Sequence, residues 1–282
     1  MNLEVYMKAY MFELEEKLNA NKHIFKNVNF QFEEANSDQE LKKTLKSFIL
    51  SSARNIEYIK CVKDNEQEVS IQQEAFYIED VLSPEDYTEM EREEIRKSKD
   101  AVYVNPDLIL KIIFFGEAMV EYIELKSTKN DKIPGSSIQQ IVPNEWVIFI
   151  KHSANQTTVV TGQYKNSISG TMQFPDRSPR PQVSFNELLY WVNNYRRIDN
   201  GKLIYSHDDQ ETSKYELLLD WQKVLSDRWM SVLMAEKKKI EPWFNNNIRK
   251  FSIQLLDYYD DLEVEQQKNF KKFILNNIEV EK

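Results

Sequence analysis

Glycine and proline are spread unevenly along this chain, and that unevenness constrains its architecture more than any other feature. All five glycines (Gly116, Gly135, Gly162, Gly170 and Gly201) fall between positions 116 and 201, and six of the eight prolines lie between Pro106 and Pro181. Residues 1–100 carry no glycine and only Pro84, and residues 202–282 carry only Pro242. Gly and Pro punctuate a chain at its turns, so the middle reverses often while both flanks read as helical. In the N-terminal flank Leu3, Met7, Tyr10, Met11 and Leu14 recur at helical spacing. Residues 37–50 open with Ser37 followed by Glu40, a capping signature, and Ser83-Pro84-Glu85-Asp86 is a second helix start. In the C-terminal flank Leu217, Leu218, Trp221, Val224 and Leu225 form one apolar stripe, and Phe251, Leu255, Tyr258, Tyr259 and Leu262 form another. The expected division is a helical region at 1–100, a core at 101–200 and a helical region at 201–282, packed as one compact unit.

The middle changes period. Residues 107–115 (DLILKIIFF) and 120–126 (VEYIELK) are strand-length runs of branched and aromatic residues, joined across Gly116 and Glu117 as a hairpin. GSSIQQI, from Gly135, is a short helix candidate, and EWVIFIK (145–151) and TTVVTG (157–162) read as two further strands. Strand, strand, helix, strand, strand between helical flanks is a mixed α/β core.

Charge and composition narrow the function. The 282 residues carry a net charge of −9, yet from Lys126 to Gln182 seven basic residues (Lys126, Lys129, Lys132, Lys151, Lys165, Arg177, Arg180) face three acids (Asp131, Glu145, Asp176). A basic zone on an acidic body steers a polyanion to one surface. No run approaches the ~20 apolar residues of a membrane-spanning helix, so no membrane partner is expected. The first twenty residues lack a signal-peptide profile, and the single Cys61 excludes an internal disulfide, so a cytoplasmic location is expected. There is no phosphate-binding Walker loop and no dinucleotide fingerprint, which disfavours a nucleotide cofactor.

Three polar residues stand out in the core strands: Asp107, Glu124 and Lys126. Glu124 and Lys126 are two apart in a strand and share one face, while Ile123 and Leu125 point to the other. With Gly116 and Glu117 at the centre of the hairpin, Asp107 faces Lys126 and Ile109 faces Glu124, gathering the three at one end of one face. Two converging carboxylates suit a hard cation such as Mg²⁺, and a lysine beside them offsets negative charge developing at phosphorus. That combination describes metal-assisted hydrolysis of a phosphodiester. An ordinary surface hairpin with a cross-strand Asp–Lys pair would carry the same three residues.

Pro106-Asp107, then sixteen intervening residues, then Glu124-Leu125-Lys126, resembles the bipartite PD-(D/E)xK signature of the restriction-endonuclease-like nucleases. The run from Glu124 to Lys129, followed by Ile133-Pro134-Gly135-Ser136-Ser137-Ile138-Gln139-Gln140, is similar to segments of type II restriction enzymes. The resemblance covers roughly residues 100–175. It implies a restriction-endonuclease-like mixed sheet and a Mg²⁺-dependent, site-specific endodeoxyribonuclease acting on double-stranded DNA. It also implies Asp107 and Glu124 as metal ligands, the backbone carbonyl of Leu125 completing the metal sphere, and Lys126 as the catalytic lysine. The family often adds a glutamate from a helix before the hairpin; Glu74 and Glu79 are the candidates. Gln139 and Gln140 are candidates for bonding phosphate or water. A palindromic site is best read by a two-fold dimer, so a homodimer is expected. A structure-specific repair or recombination nuclease, or an inactive DNA-binding protein of the same fold, are the alternatives.

Other features weigh less. The proline-stiffened segment Phe174–Gln182 presents Arg177 and Arg180, suited to phosphate or guanine. Its Pro175-Asp176 has no ExK at a suitable distance. His23, His152 and His207 lack metal-ligand spacing, Cys61 reads as a small apolar residue, Glu236–Lys239 as a solvated helix face, and the stripe with Trp221, Trp229 and Trp243 as core.

Overall fold

The computed structural model describes residues 2–28, 34–90, 93, 106–135, 138, 141–153, 156–172, 181–207, 209–234 and 242–278. Where one compact unit is expected, the chain forms two, Met1–Leu219 and Asp220–Lys282.

The first unit begins with α1 (Leu3–Ala20), α2 (Glu34–Ser52), β1 (Cys61–Asp64), β2 (Gln67–Ser70), β3 (Phe76–Leu82), β4 (Leu108–Phe114), β5 (Glu117–Thr128) and β6 (Lys132–Pro134). It continues with β7 (Trp146–His152), β8 (Thr157–Gln163), the single turn α3 (Tyr164–Ser167), β9 (Ile168–Met172) and β10 (Pro181–Ser184). It closes with α4 (Phe185–Tyr195), β11 (Arg196–Asp199), β12 (Lys202–Tyr205) and α5 (Asp209–Leu219). The class is α/β with mixed sheets, as expected.

The expectation of helical flanks needs correction. Residues 3–52 and 209–276 are largely helical, but β1, β2 and β3 lie inside 1–100, and β12 lies inside 201–282. β1 pairs in parallel with β12, Val62 opposite Leu203, so the two flanks share a four-stranded sheet in the order β11-β12-β1-β2. The main sheet runs β3-β4-β5-β7-β8: an antiparallel meander of β3, β4 and β5, then β7 parallel to β5, then β8 antiparallel to β7. A third sheet, β6-β10-β9, is tied close by Gly135, where a Cβ would collide with the Pro181 carbonyl oxygen.

The core is built on α1. Every residue from Tyr6 to Leu14 is buried, as in a helix enclosed on all sides rather than lying on a surface. Tyr6 meets Phe114 edge-to-face at 5.0 Å between ring centroids, and Tyr10 lies 5.2 Å from Phe76. The polar residues of this helix are partnered where they are buried. Lys8 pairs with Asp64, and Glu13 accepts the backbone amides of Glu57, Tyr58 and Ile59 at 2.7–2.9 Å. Glu15 pairs with the buried Arg196 at 2.6 Å, which also donates to Thr161 of β8.

The hairpin turn is also corrected. Phe114 pairs with Glu117, which makes Phe115 and Gly116 the central residues, both at positive φ (49° and 84°). That is the mirror-image turn whose twist suits a two-residue hairpin. The register therefore moves by two residues: Ile109 lies opposite Tyr122 rather than Glu124, and Leu108 opposite Ile123. A shift of two preserves the faces, because the side-chain period of a strand is two.

In the second unit α6 (Trp221–Met234), α7 (Pro242–Asp260) and α8 (Val264–Asn276) follow one another. α8 starts with a reciprocal capping box between Glu263 and Gln266. Trp229, expected in the core, is exposed. No helix among the described residues is long and apolar enough to cross a membrane.

Candidate active site at the β4–β5 hairpin

β5 carries the site because of its position. Residues Glu117–Ile123 pair with β4 and residues Ile123–Thr128 pair with β7, so Glu124 and Lys126 lie just past the start of β4, where the β5–β7 pairing carries the strand on. Along it Ile123 and Leu125 are buried, while Glu124 and Lys126 are half-buried on the opposite face, the alternation expected from sequence. Asp107 is the residue just before β4. Continuing the observed register places it opposite Glu124, not opposite Lys126.

The contacts join the three residues. Asp107 Oδ2 accepts the amide N–H of Leu125 at 2.8 Å, which fixes the carboxylate between Glu124 and Lys126. Lys126 Nζ donates to Glu124 Oε1 at 2.6 Å and lies 5.9 Å from the centre of the Tyr164 ring. Leu125 meets Asp107 through its amide; its carbonyl was the expected metal ligand. A fourth residue, not foreseen, completes the group: Lys42 of α2 reaches Asp107 Oδ1 at 2.7 Å. Lys42 borders the buried stripe Leu41, Leu45, Phe48 and Ile49 and shares a helix side with Lys46, which pairs with Asp86 at 2.8 Å. Two lysines four apart beside an apolar stripe were the only sequence signal for it.

The electrostatics follow from this burial. Burial pushes the Asp107 carboxyl above the usual range, and the charge of Glu124 adds to it; Lys42 and the Leu125 amide oppose both. For Lys126 burial works downward, but Glu124, followed by Tyr164 and Asp107, outweighs it and holds the ammonium above the ordinary lysine range. Lys126 is therefore a fixed positive charge at neutral pH, suited to stabilising charge rather than to accepting a proton.

The other expected site residues divide. Glu74 lies in a single 3₁₀ turn and Glu79 at a bulge of β3; both are exposed, and neither is on an α-helix. Glu74 precedes Phe76, the end of β3 that faces the hairpin turn, about 20 Å along the strands from the Asp107 end. Gln139, Gln140, Arg177 and Arg180 lie outside the described residues, as does most of the GSSIQQI segment. Lys129 and Lys132, just beyond β5, are exposed.

Among the described residues no group of three or more His, Cys, Asp and Glu side chains is arranged to hold a metal ion. The site holds a pair of carboxylates, and a cation there would take its other ligands from backbone, water and substrate, the habit of Mg²⁺. The donor set fits: two hard oxygen ligands, with Asp107 pushed toward neutrality by burial and by Glu124 even with Lys42 in contact. No protein-family model matches this chain, and no curated protein matches it.

Proposed function

We propose that this chain is a Mg²⁺-dependent endodeoxyribonuclease of the PD-(D/E)xK class, and specifically a type II restriction enzyme that cuts a defined sequence in double-stranded DNA. The observation that carries this reading is the convergence of Asp107, Glu124 and Lys126 at one end of one sheet face, with the Leu125 amide bonded to Asp107. The meander β3-β4-β5 followed by a parallel β7 supports the restriction-endonuclease-like fold.

Asp107 and Glu124, with the Leu125 backbone carbonyl, would hold the cation, which when bound supplies Lewis acidity and makes water a better nucleophile at neutral pH. Lys126 places its fixed positive charge where negative charge grows on the phosphorus oxygens as water attacks and the P–O3′ bond breaks. The products are a 5′-phosphate and a 3′-hydroxyl. Lys42 is a positioning residue: it orients Asp107 and opposes the push of burial and Glu124 toward neutrality. The exposed Lys129 and Lys132 extend positive charge from the site toward a phosphate backbone. A two-fold homodimer would present two such sites to a palindromic duplex.

The test is cleavage of plasmid DNA by Asp107→Ala and Lys126→Ala, with folding checked by circular dichroism. Each is expected to lose at least ~10²-fold in rate while remaining folded. Cutting at near wild-type rate by either variant would return the hairpin to an ordinary ion-paired surface.

A further inference from the structure

The apolar stripe Phe251, Leu255, Tyr258 on α7, legible at helical spacing in the sequence, is exposed, Phe251 by 63%. α8 repeats the anomaly with Val264, Ile274 and Leu275, and Leu225 is the one buried apolar residue among the described residues of this unit. Among the described residues of this unit, exposed large apolar side chains far outnumber buried ones.

Its internal contacts show where the gap lies. α7 and α8 meet beside their connecting turn, where Tyr258 and Phe270 lie edge-to-face at 5.2 Å and Gln267 donates to the Tyr259 carbonyl at 2.9 Å. Farther from the turn, Phe251 on one arm and Ile274 on the other remain exposed. Between Phe251 and Ile278 ten large apolar side chains are exposed. By helical spacing Phe251, Leu255 and Tyr258 share one side of α7, and Val264 and Leu275 share one side of α8; contiguous apolar faces left exposed are uncommon on monomers.

The charges identify the occupant. The turn is acidic, with Asp260, Asp261 and Glu263, and the arms are basic, with Lys250 on α7 and Lys271 and Lys272 on α8; all six are exposed. A hairpin with an acidic tip and basic arms is complementary to itself when two copies lie antiparallel. A two-fold axis perpendicular to the hairpin gives that arrangement, each tip meeting the other copy's arms, whereas an axis along the hairpin would set acidic tip against acidic tip.

We infer that the α7–α8 hairpin is a self-association surface, in which the hairpins of two copies pack antiparallel, apolar faces together, acidic turn against basic arm. This names a surface for the two-fold assembly proposed above, and it rests on the apolar faces and charges of this hairpin rather than on the nuclease chemistry.

The experiment is sedimentation of the full chain without DNA or metal, so its outcome is independent of whether the protein cuts DNA. The wild type is expected to sediment as a dimer at micromolar concentration. An arm variant (Lys271→Glu with Lys272→Glu) and a turn variant (Asp260→Lys with Asp261→Lys) are each expected to weaken self-association at least ~100-fold. Both change exposed residues, and unchanged helicity checks their folding. Mixed one to one, the two variants are expected to form a heterodimer, because each like-charge contact then becomes an opposite-charge one. A monomeric wild type, meaning that something other than a second copy covers the face, would overturn the inference. So would variants that stay dimeric, or a mixture that stays monomeric.

Discussion

Lys42 shows how much of the site rests on residues outside the signature. Its 2.7 Å pair with Asp107 sets a positive charge against a carboxylate that burial and Glu124 both push toward neutrality. Both side chains are partly exposed, so breaking the pair costs less than the roughly 3–5 kcal/mol of a fully buried one. Lys42→Ala is therefore expected to lower the melting temperature, and millimolar Mg²⁺ should restore more stability to this variant than to wild type. Equal Mg²⁺ shifts in the two proteins would count against a cation site at Asp107. A second residue-scale device lies at the junction of the two flanks. His207 bonds Asp64 Oδ1 and Glu211 Oε2, each at 2.6 Å, with Lys8 on Asp64 and Lys165 on Glu211. The hydrogen bonds from Asp64 and then Glu211 push the imidazole up to about 9. Because the folded value is raised, this stabilisation is complete below about pH 6.5 and is lost as pH rises toward 9. Melting temperatures should fall across that window, by an amount moderated by the solvent exposure of the imidazole. His207→Gln should flatten the profile; an unchanged profile would place the titrating group elsewhere. His207 gave no sequence signal, because its partners lie 143 and four residues away and only the β1–β12 pairing brings the first of them near.

At the scale of elements, the strands of the hairpin were legible and its turn was not. The runs 107–115 and 120–126 announced themselves by branched and aromatic residues, and β4 and β5 are where those runs lie. The turn rule favours glycine or asparagine at positive φ, which pointed to Gly116 and Glu117; a phenylalanine at φ 49° runs against it. Phe115 is held there by aromatic neighbours, Phe114 at 4.9 Å and Tyr6 at 5.9 Å between centroids, a tertiary gain that local sequence does not display. Since the error was two residues, Asp107 and Glu124 kept their common face and the site remained legible. Gly116, at φ 84°, bears the part of the turn that only glycine adopts at no steric cost. Gly116→Val is expected to destabilise the protein by about 1–3 kcal/mol, measured by urea denaturation. A change within ±0.5 kcal/mol would mean that the turn tolerates a side chain at this φ. The strands of the flanks stayed hidden for a different reason. β1 and β2 are four residues each and largely polar (CVKD, QEVS), so they carry no period-two apolar signal, and they are strands because β12 and each other complete their ladders.

For the whole molecule, a buried helix, α1, ties the main sheet to the flanks, and the sheet in turn presents Asp107, Glu124 and Lys126 together. Those three were legible because a hairpin converts sequence spacing directly into proximity. The contributions of α2 and of the residues beyond β5 depend on long-range packing, which spacing does not encode. The central claim is that this assembled site cuts DNA with Mg²⁺. The most direct measurement is incubation of the full chain with plasmid DNA of known sequence in Mg²⁺ and, separately, in Ca²⁺, with the fragment ends sequenced. The account predicts discrete fragments in Mg²⁺ that share one sequence at their 5′-phosphate ends, and binding without efficient cutting in Ca²⁺. Intact plasmid in Mg²⁺, or equal cutting in both ions, would contradict it.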